Sequence, residues 1–240
     1  LVLWNIDLTL VDVTRVTRDA YAEAFRTVTG RPLVRLPQMA GRSESEIFFD
    51  ALALNGVDVS ELGPSEKLLA PFGSELATAL AARRDKLRRD GQALPGARAA
   101  LAAVARLDGV VQTVLTGTSK PNALLKLRTF ELEQFFDFSV GGYGSEPYPK
   151  GALVRVARLR AAEKFGVALG EDACVYVADS VRDVEAAAMG GAASAAVASG
   201  RSTAAELRAA GADAVLADLT DAEQVAAVVG RLTGGPGPAS

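Results

Sequence analysis

The sequence predicts a doubly wound α/β fold, in which helices cover both faces of a parallel sheet, with a helical insert near the start of the chain. From residue 95 to residue 231, short apolar strands alternate with helical segments, which is typical of a parallel sheet. One further strand opens the chain at residues 1–6 and is apolar except for Asn5, as expected of a buried parallel strand. Between these regions, residues 15–90 show only helical patterns.

The helical insert is predicted from apolar periodicity and from its start and stop signals. Its first helix, over residues 17–29, ends at Gly30. Its second helix begins at Ser43, which forms a capping-box signature with Glu46 three residues later. A third helical stretch, over residues 64–90, ends in a basic cluster that suits the C-terminal pole of a helix.

Short apolar runs bounded by turn residues define the strands of the core, and amphipathic segments between them define its helices. The predicted strands cover residues 1–6, 110–115, 136–140, 173–178, 194–198 and 214–216. The predicted helices cover residues 95–106, 119–132, 151–165, 183–189, 203–210 and 221–231. The chain therefore divides into a core (1–14 and 91–233), an insert (15–90) and a Gly/Pro-rich tail (234–240) that we expect to be disordered.

Composition excludes several classes of function. The 240 residues carry a net charge of −3 and contain no histidine, which excludes Ser-His-Asp and Cys-His catalysis and histidine-ligated zinc. A single cysteine, Cys174, rules out an internal disulfide and predicts a reducing, cytoplasmic compartment. The mild acidity argues against general binding to nucleic acid or to a membrane surface, and no apolar run is long enough for a membrane span. Any chemistry must come from carboxylates, hydroxyls, lysine, arginine, backbone amides or a hard metal ion.

Polar side chains follow three of the predicted strands at the point where each strand ends. Asn5 and Asp7 follow the first strand, Thr116 the second, and Asp179 a later one. In open α/β sheets, ligands bind outside the carboxyl ends of the strands, so these side chains should converge on one site. A second acid four residues after Asp179 and a loop that ends in lysine belong to the same set.

These residues resemble the motifs of the haloacid dehalogenase superfamily, most closely its small phosphatases of the phosphoglycolate phosphatase and β-phosphoglucomutase type. The resemblance covers about residues 1 to 230 and depends on four motifs in the family's order and spacing. It implies a Rossmann-like core and a helical cap formed by the insert. The four motifs are Asn5-Ile6-Asp7-Leu8-Thr9, Thr116 in VLTGTS, Lys150 in YPKG, and Asp179 with Asp183 in VADSVRD.

The resemblance implies Mg²⁺-dependent hydrolysis of phosphate monoesters through an acyl-phosphate. Position 5 would carry the nucleophile, and Asp7 would act first as general acid and then as general base. The side chain of position 5, the Asp7 carbonyl and Asp179 would hold Mg²⁺, with Asp183 orienting Asp179 or a metal-bound water. The resemblance thus makes Asn5, Asp7, Asp179 and Asp183 the metal-site residues.

The resemblance also implies a set of residues that bind substrate. Thr116 and the N–H groups after it, with Gly117, would bind phosphate oxygens, and Lys150 would neutralise developing charge. Thr9 belongs to this set, and Arg42 would face the substrate from the insert. We expect a small phosphorylated metabolite as the ligand, no nucleic-acid or membrane partner, and a monomer or homodimer.

Each of these residues also has an ordinary structural interpretation, and taken singly this interpretation is the commoner one. Thr116 and Gly117 fit a strand-ending turn, and the two acids of the fourth motif fit a helix N-cap and first turn. Lys150 fits a solvated loop residue, and Arg42 fits a surface residue.

Asn5 departs from the family pattern, which has aspartate as the nucleophile at this position. A carboxamide still offers an oxygen to Mg²⁺, but it is a far poorer nucleophile than a carboxylate. Two classes of function therefore stay open: a phosphatase crippled by Asn5, and a catalytically silent phosphate-ligand binding or regulatory protein. Phosphomutase activity shares these motifs. 2-Haloacid dehalogenation needs the same nucleophile without Mg²⁺, and Asp7 with the acidic fourth motif argues against it.

Overall fold

The structure, a computed structural model, describes residues 1–57, 65–146 and 149–234. The expected disorder of the tail concerns residues that lie, apart from Gly234, outside this part of the chain. The predicted start of the third insert helix at Pro64 also lies outside it.

Eight strands lie in the described ranges, and six of them form one parallel sheet in the order β5-β4-β1-β6-β7-β8. The first strand is central, since Leu3 pairs with Thr113 on one side and with Tyr176 on the other. The chain order reverses at this strand, and ligands of open α/β sheets bind at such a switch point. The strands are β1 (Val2–Trp4), β2 (Val11–Asp12), β3 (Gln92–Ala93), β4 (Gln112–Thr116), β5 (Gly142–Tyr143), β6 (Val175–Ala178), β7 (Ala193–Val197) and β8 (Ala214–Leu216).

Helices pack on both faces of the sheet, so the predicted doubly wound core is confirmed. Alternate side chains of the first strand enter different apolar clusters: Val2 and Trp4 one, Leu1 and Leu3 the other. The α-helices of the described ranges are α1 (Thr14–Thr29), α2 (Glu44–Leu54), α3 (Ser65–Ala81), α4 (Arg84–Asp90), α5 (Ala97–Ala105), α6 (Lys120–Thr129), α7 (Lys150–Phe165), α8 (Val181–Gly190), α9 (Ala204–Ala209) and α10 (Ala222–Leu232). None of them combines the length and apolar character needed to cross a bilayer.

The helical insert contains α1 to α4 and leaves and re-enters the core through the antiparallel pair β2–β3. Aromatic rings fill its interior, with Phe48 stacked on Phe72 at a centroid distance of 4.2 Å. The predicted capping box is present, because Ser43 and Glu46 exchange hydrogen bonds between side chain and backbone. The single helix expected over residues 64–90 is interrupted, since the Arg83 N–H bonds to Leu80, three residues back, where a tight turn separates α3 from α4.

The prediction of a strand at residues 136–140 is wrong. That segment follows β4 through two hydrogen bonds at Asp137 but forms no ladder. The edge strand is instead Gly142–Tyr143, within the stretch expected to be a glycine-rich loop, and it pairs with Leu115 and Thr116. Glycine permits close packing here, because a Cβ on Gly142 would stand 3.0 Å from the Cβ of Leu153 in α7 and would require a small shift of the helix.

Candidate active site

A cavity of about 200 Å³ lies between the carboxyl ends of β1 and β4 and the helices of the insert. Six of the predicted site residues line it: Asn5, Asp7, Arg42, Thr116, Gly117 and Lys150. The other three, Thr9, Asp179 and Asp183, are at most 2 % exposed and lie outside the cavity lining. The predicted convergence of strand-end residues therefore occurs, with one part facing the cavity and one part buried.

A tight turn after β1 presents the first motif. The Asn5 N–H still bonds to Val177 of β6, and the chain then reverses through Leu8, whose φ of +61° is in the left-handed region. Non-glycine residues adopt this region at a cost of about 1–2 kcal/mol. Two hydrogen bonds hold Leu8 in the turn: the Leu8 N–H donates to Val11, and the Ser199 hydroxyl donates to the Leu8 carbonyl at 2.7 Å.

The Asn5 side chain is the centre of a buried hydrogen-bond network. Its Nδ2 lies 2.9 Å from the Asp7 carbonyl oxygen, 2.9 Å from Asp179 Oδ1 and 3.2 Å from Thr9 Oγ1. The Thr9 hydroxyl itself donates to Asp179 Oδ1 at 2.8 Å. The partners fix the orientation of the amide, because the opposite orientation would set the Asn5 oxygen against a carbonyl and a carboxylate.

Asp179 is 2 % exposed at the start of α8. Burial raises the pKa of Asp179 to about 7, the negative charge of Asp183 adds to the rise, and hydrogen bonds from Thr9 and Asn5 oppose it. Its second oxygen packs against backbone, since a Cβ on Gly200 would stand 1.9 Å from Asp179 Oδ2. Both oxygens of this carboxylate are therefore enclosed by protein.

Asp183 and Lys150 form a buried ion pair on the other side of the site. Lys150 Nζ lies 2.6 Å from Asp183 Oδ1 at the start of α7, and both side chains are at most 7 % exposed. The Tyr176 hydroxyl donates to the same oxygen at 3.0 Å, and the Ser180 hydroxyl donates to the other. Asp183 therefore positions the lysine that lines the cavity.

Lys126, which the sequence interpretation missed, holds Asp7. Its ammonium group is 2.8 Å and 2.7 Å from the two oxygens of the Asp7 carboxylate, and its side chain is only 2 % exposed. The Thr118 hydroxyl adds a hydrogen bond of 3.1 Å to Asp7. No local sequence signal indicates this contact, because the burial of Lys126 beside Asn122 on α6 is set by packing.

The insert meets the core at Gly117, just after β4. The Glu44 N–H donates to the Gly117 carbonyl at 2.8 Å, and a Cβ on Gly117 would stand only 1.8 Å from the Arg42 carbonyl oxygen. Thr116 accepts a hydrogen bond from the Thr118 N–H at 3.2 Å, which shapes the turn. Glycine at position 117 is therefore required for the close contact that forms the floor of the cavity.

The insert side of the cavity contains buried polar groups. Thr17 Oγ1 and Arg42 Nε have no hydrogen-bond partner within the described ranges, while the terminal nitrogen of Arg42 pairs with Asp50. Glu44 accepts a hydrogen bond from Asn122 at 3.1 Å, and burial raises the pKa of Glu44. These two buried atoms without partners belong to residues that line the cavity.

The residues at the predicted metal position do not fit a magnesium ion as they are arranged in this chain. Mg²⁺ needs oxygen ligands at about 2.0–2.1 Å, which places neighbouring ligand oxygens about 3 Å apart. The Asp7 carbonyl oxygen and Asp179 Oδ1 each lie 2.9 Å from Asn5 Nδ2, so the atom of Asn5 that faces them is an N–H donor and not an oxygen ligand. Within the described ranges, no group of three or more histidine, cysteine, aspartate or glutamate side chains is arranged to hold a metal ion.

Comparison with known proteins gives the family. The family model of the haloacid dehalogenase-like hydrolases matches residues 2–188, and the chain belongs to this family. Comparison with curated proteins gives no match.

Solved structures share the fold over nearly the whole chain. A predicted phosphoglycolate phosphatase from Haemophilus somnus is 19 % identical with a TM-score of 0.66, covering 94 % of this chain and 96 % of that protein. CbbY from Rhodobacter sphaeroides, solved in complex with phosphate, is 19 % identical with a TM-score of 0.61 and coverages of 92 % and 94 %. A protein assigned as a β-phosphoglucomutase, from Thermotoga maritima, is 20 % identical with a TM-score of 0.55 and coverages of 95 % and 97 %. At these identities the likeness establishes the Rossmann-like core with its helical cap.

Proposed function

We propose that this protein is a hydrolase of small phosphate monoesters whose transfer step is crippled by Asn5. The observation that carries the proposal is the place of this residue: it lines the cavity at the end of the central strand, where the family's nucleophile stands. With aspartate there, a carboxylate oxygen would attack phosphorus, the ester P–O bond would break, and water would then hydrolyse the acyl-phosphate. The neutral carboxamide lacks the charge for this attack.

Asp7 is the general acid and base of the proposed reaction. Its carboxylate lines the cavity and is 37 % exposed, so a leaving-group oxygen can reach it. It would protonate that oxygen and then take a proton from the attacking water. Lys126 and Thr118 hold the carboxylate in a single orientation and thus act as positioning residues.

The charge around the cavity supports a phosphate ligand. Two acids, Asp7 and Glu44, line it, whereas its basic lining residues number five. Three of the five are paired with carboxylates: Arg42 with Asp50, Lys126 with Asp7 and Lys150 with Asp183. Arg18 and Arg201 therefore carry the positive charge that favours an anion in this partly enclosed cleft. CbbY from Rhodobacter sphaeroides, which has the same fold, was solved with phosphate. The basic residues are Arg18, Arg42, Lys126, Lys150 and Arg201.

The size of the cavity supports a small substrate. The cavity volume of about 200 Å³ lies below the roughly 300–1,000 Å³ of typical ligand pockets, which suits a small phosphorylated molecule. Thr17 and Arg42 would bind polar groups of the substrate from the insert. We assign residues 15–90 as the cap and 1–14 with 91–233 as the core, and we place the protein in the cytoplasm as a monomer or homodimer.

The test compares the protein with its Asn5→Asp variant, measuring phosphate release from an aryl phosphate and a panel of small phosphate esters, with Mg²⁺ and with EDTA. We expect turnover only from the variant and only with Mg²⁺, for which the oxygens of position 5, Asp7 and Asp179 would then serve as ligands. Turnover by the unmodified protein would refute the crippled step.

A catalytically silent phosphate-binding protein is the second candidate, and the engaged amide of Asn5 favours it. If the folded Asn5→Asp variant hydrolyses no ester of the panel while the unmodified protein binds one, this candidate replaces the first. Halide release from a 2-haloacid without Mg²⁺ would indicate dehalogenation instead.

A further inference from the structure

We infer that the Asn5 carboxamide takes the place of a divalent cation in this site, so that the site is assembled, and binds phosphate, without metal. The cation part of this inference is independent of the proposed function, whereas the phosphate part rests on it. A cation would serve this position by drawing together the Asp7 carbonyl oxygen and the Asp179 carboxylate. In this chain the two N–H bonds of one amide make that connection.

The hydrogen bonds account for both hydrogens of the Asn5 amide. An amide NH₂ group carries two hydrogens, and Asn5 Nδ2 has two acceptors at 2.9 Å, one on Asp7 and one on Asp179. The longer contact, at 3.2 Å, is with Thr9 Oγ1, whose own hydrogen goes to Asp179. Both oxygens that a cation would need are therefore already satisfied by donors.

The two lysines of the site compensate two of its three carboxylates, and the third is stabilised by hydrogen bonds from neutral donors. Asp7 is paired with Lys126 and Asp183 with Lys150, which leaves Asp179 as the third carboxylate. Asp179 accepts hydrogen bonds from Thr9 and Asn5 at one oxygen and packs against Gly200 at the other. Buried carboxylates need such partners because burying an unpaired charge is costly.

Aspartate at position 5 would break this balance. It would remove both N–H donors and bring a fourth carboxylate to about 2.9 Å from Asp179 Oδ1, the present position of Asn5 Nδ2. Four carboxylates against two lysines leave two excess negative charges, which one divalent cation neutralises. The same scaffold is thus independent of a cation with asparagine and dependent on one with aspartate.

Thermal unfolding tests the cation part directly. The midpoint of the unmodified protein should be the same within about 1 °C in EDTA and in excess Mg²⁺, whereas Asn5→Asp should unfold about 5 °C or more lower in EDTA and recover with Mg²⁺. Asn55→Asp is the matched control, because Asn55 Nδ2 also donates to two carbonyl oxygens, on Arg35 and Ala51. This control should be destabilised equally with and without Mg²⁺.

Phosphate binding tests the second part, with inorganic phosphate as the probe in a calorimetric titration. Its dissociation constant for the unmodified protein should change less than twofold between EDTA and Mg²⁺, and Asn5→Asp should bind at least about tenfold more tightly with Mg²⁺. A larger Mg²⁺ effect on phosphate binding by the unmodified protein would overturn this part.

Stabilisation of the unmodified protein by Mg²⁺, or indifference of a folded Asn5→Asp variant to Mg²⁺, would overturn the inference. If that variant does not fold, electron paramagnetic resonance can measure Mn²⁺ binding to the unmodified protein instead. We expect no stoichiometric Mn²⁺ site. A stoichiometric site that disappears in Asp179→Asn would refute the inference. Hydrolysis by Asn5→Asp tests the proposed function separately. An Asn5→Asp variant that is stabilised by Mg²⁺ but hydrolyses no ester would refute the proposed function and would support the cation inference.

Discussion

Replacing Lys126 by methionine removes the positive charge that holds Asp7 while keeping most of the buried volume of the side chain. The ammonium group lies 2.7–2.8 Å from both Asp7 oxygens and 3.3 Å from Thr118 Oγ1, and the lysine is 2 % exposed. Breaking a fully buried ion pair costs about 3–5 kcal/mol, because the remaining charge is left without a partner.

The cost at this site should be smaller, since Asp7 is 37 % exposed and water can solvate the carboxylate that remains. With this screening we expect Lys126→Met to lower the free energy of unfolding by about 1–3 kcal/mol. Urea denaturation measures it, and Arg128→Met, at an exposed arginine on the same helix, is the control. That control should change stability by less than about 0.5 kcal/mol.

A double-mutant cycle with Asp7→Asn isolates the pair from other effects of each change. We expect a coupling free energy of about 1–2 kcal/mol between Lys126 and Asp7. In the Asn5→Asp background, Lys126→Met should also lower kcat per folded enzyme molecule, which a change in stability alone would not do. A coupling below about 0.3 kcal/mol with unchanged stability would refute the role given to Lys126.

Three further outcomes follow from contacts of the site and core. Gly117→Ala should lose about 2 kcal/mol or more of stability because its Cβ would stand 1.8 Å from the Arg42 carbonyl, whereas Gly73→Ala, with open space around its Cβ, should be neutral or stabilising in denaturation experiments. Burial raises the pKa of Glu44, so the folded state retains a proton that the unfolded chain loses, and stability falls as pH rises above the usual glutamate range. The stability of Glu44→Gln relative to the parent should therefore increase as the pH rises from about 4 to 8. A stability difference that does not change with pH would contradict this. Burial raises the pKa of Cys174 to about 11, so its alkylation at pH 8 should be at least about 100-fold slower in the native protein than in urea, and similar rates would show that the thiol is accessible.

Local signals in the sequence predicted most of the fold. Ser43 and Glu46 indicated the start of α2, and both hydrogen bonds of the capping box are present. Gly30 indicated the end of α1, and it adopts a φ of +69° at the C-cap. Such signals succeed because the interacting residues lie within one helical turn of each other.

The edge strand was missed for the opposite reason. Apolar content assigned a strand to residues 136–140, while the actual strand contains Gly142. Strand formation there depends on pairing with Leu115 and on close packing against Leu153 of α7. A glycine that allows a helix to pack closely against a strand has no apolar side chain. The pattern of apolar residues therefore does not identify it as part of a strand.

The site shows the same limit. Strand topology predicted that Asn5, Thr116 and Asp179 would meet at one edge of the sheet. Asn5 and Thr116 line one cavity, and Asp179 is buried outside its lining but in contact with Asn5. Lys126 escaped notice because its partner, Asp7, lies 119 positions away in the chain. Pairings over such distances are set by how α6 packs against the sheet, which a single sequence does not encode in a local pattern.

Asn5 is understood only when the sequence and the structure are considered together. The sequence shows that an amide replaces the carboxylate of the family pattern, and this alone indicates only a weaker nucleophile. The structure adds that the amide hydrogens point to the carbonyl of Asp7 and to Asp179, which lies 174 positions away. Changing one oxygen to NH₂ therefore turns a group that would repel these oxygens into one that binds them. Asn5 therefore affects the requirement for a cation as well as the nucleophilic attack. Experiments can separate the two effects, because thermal stability reports the requirement for a cation and turnover reports the attack.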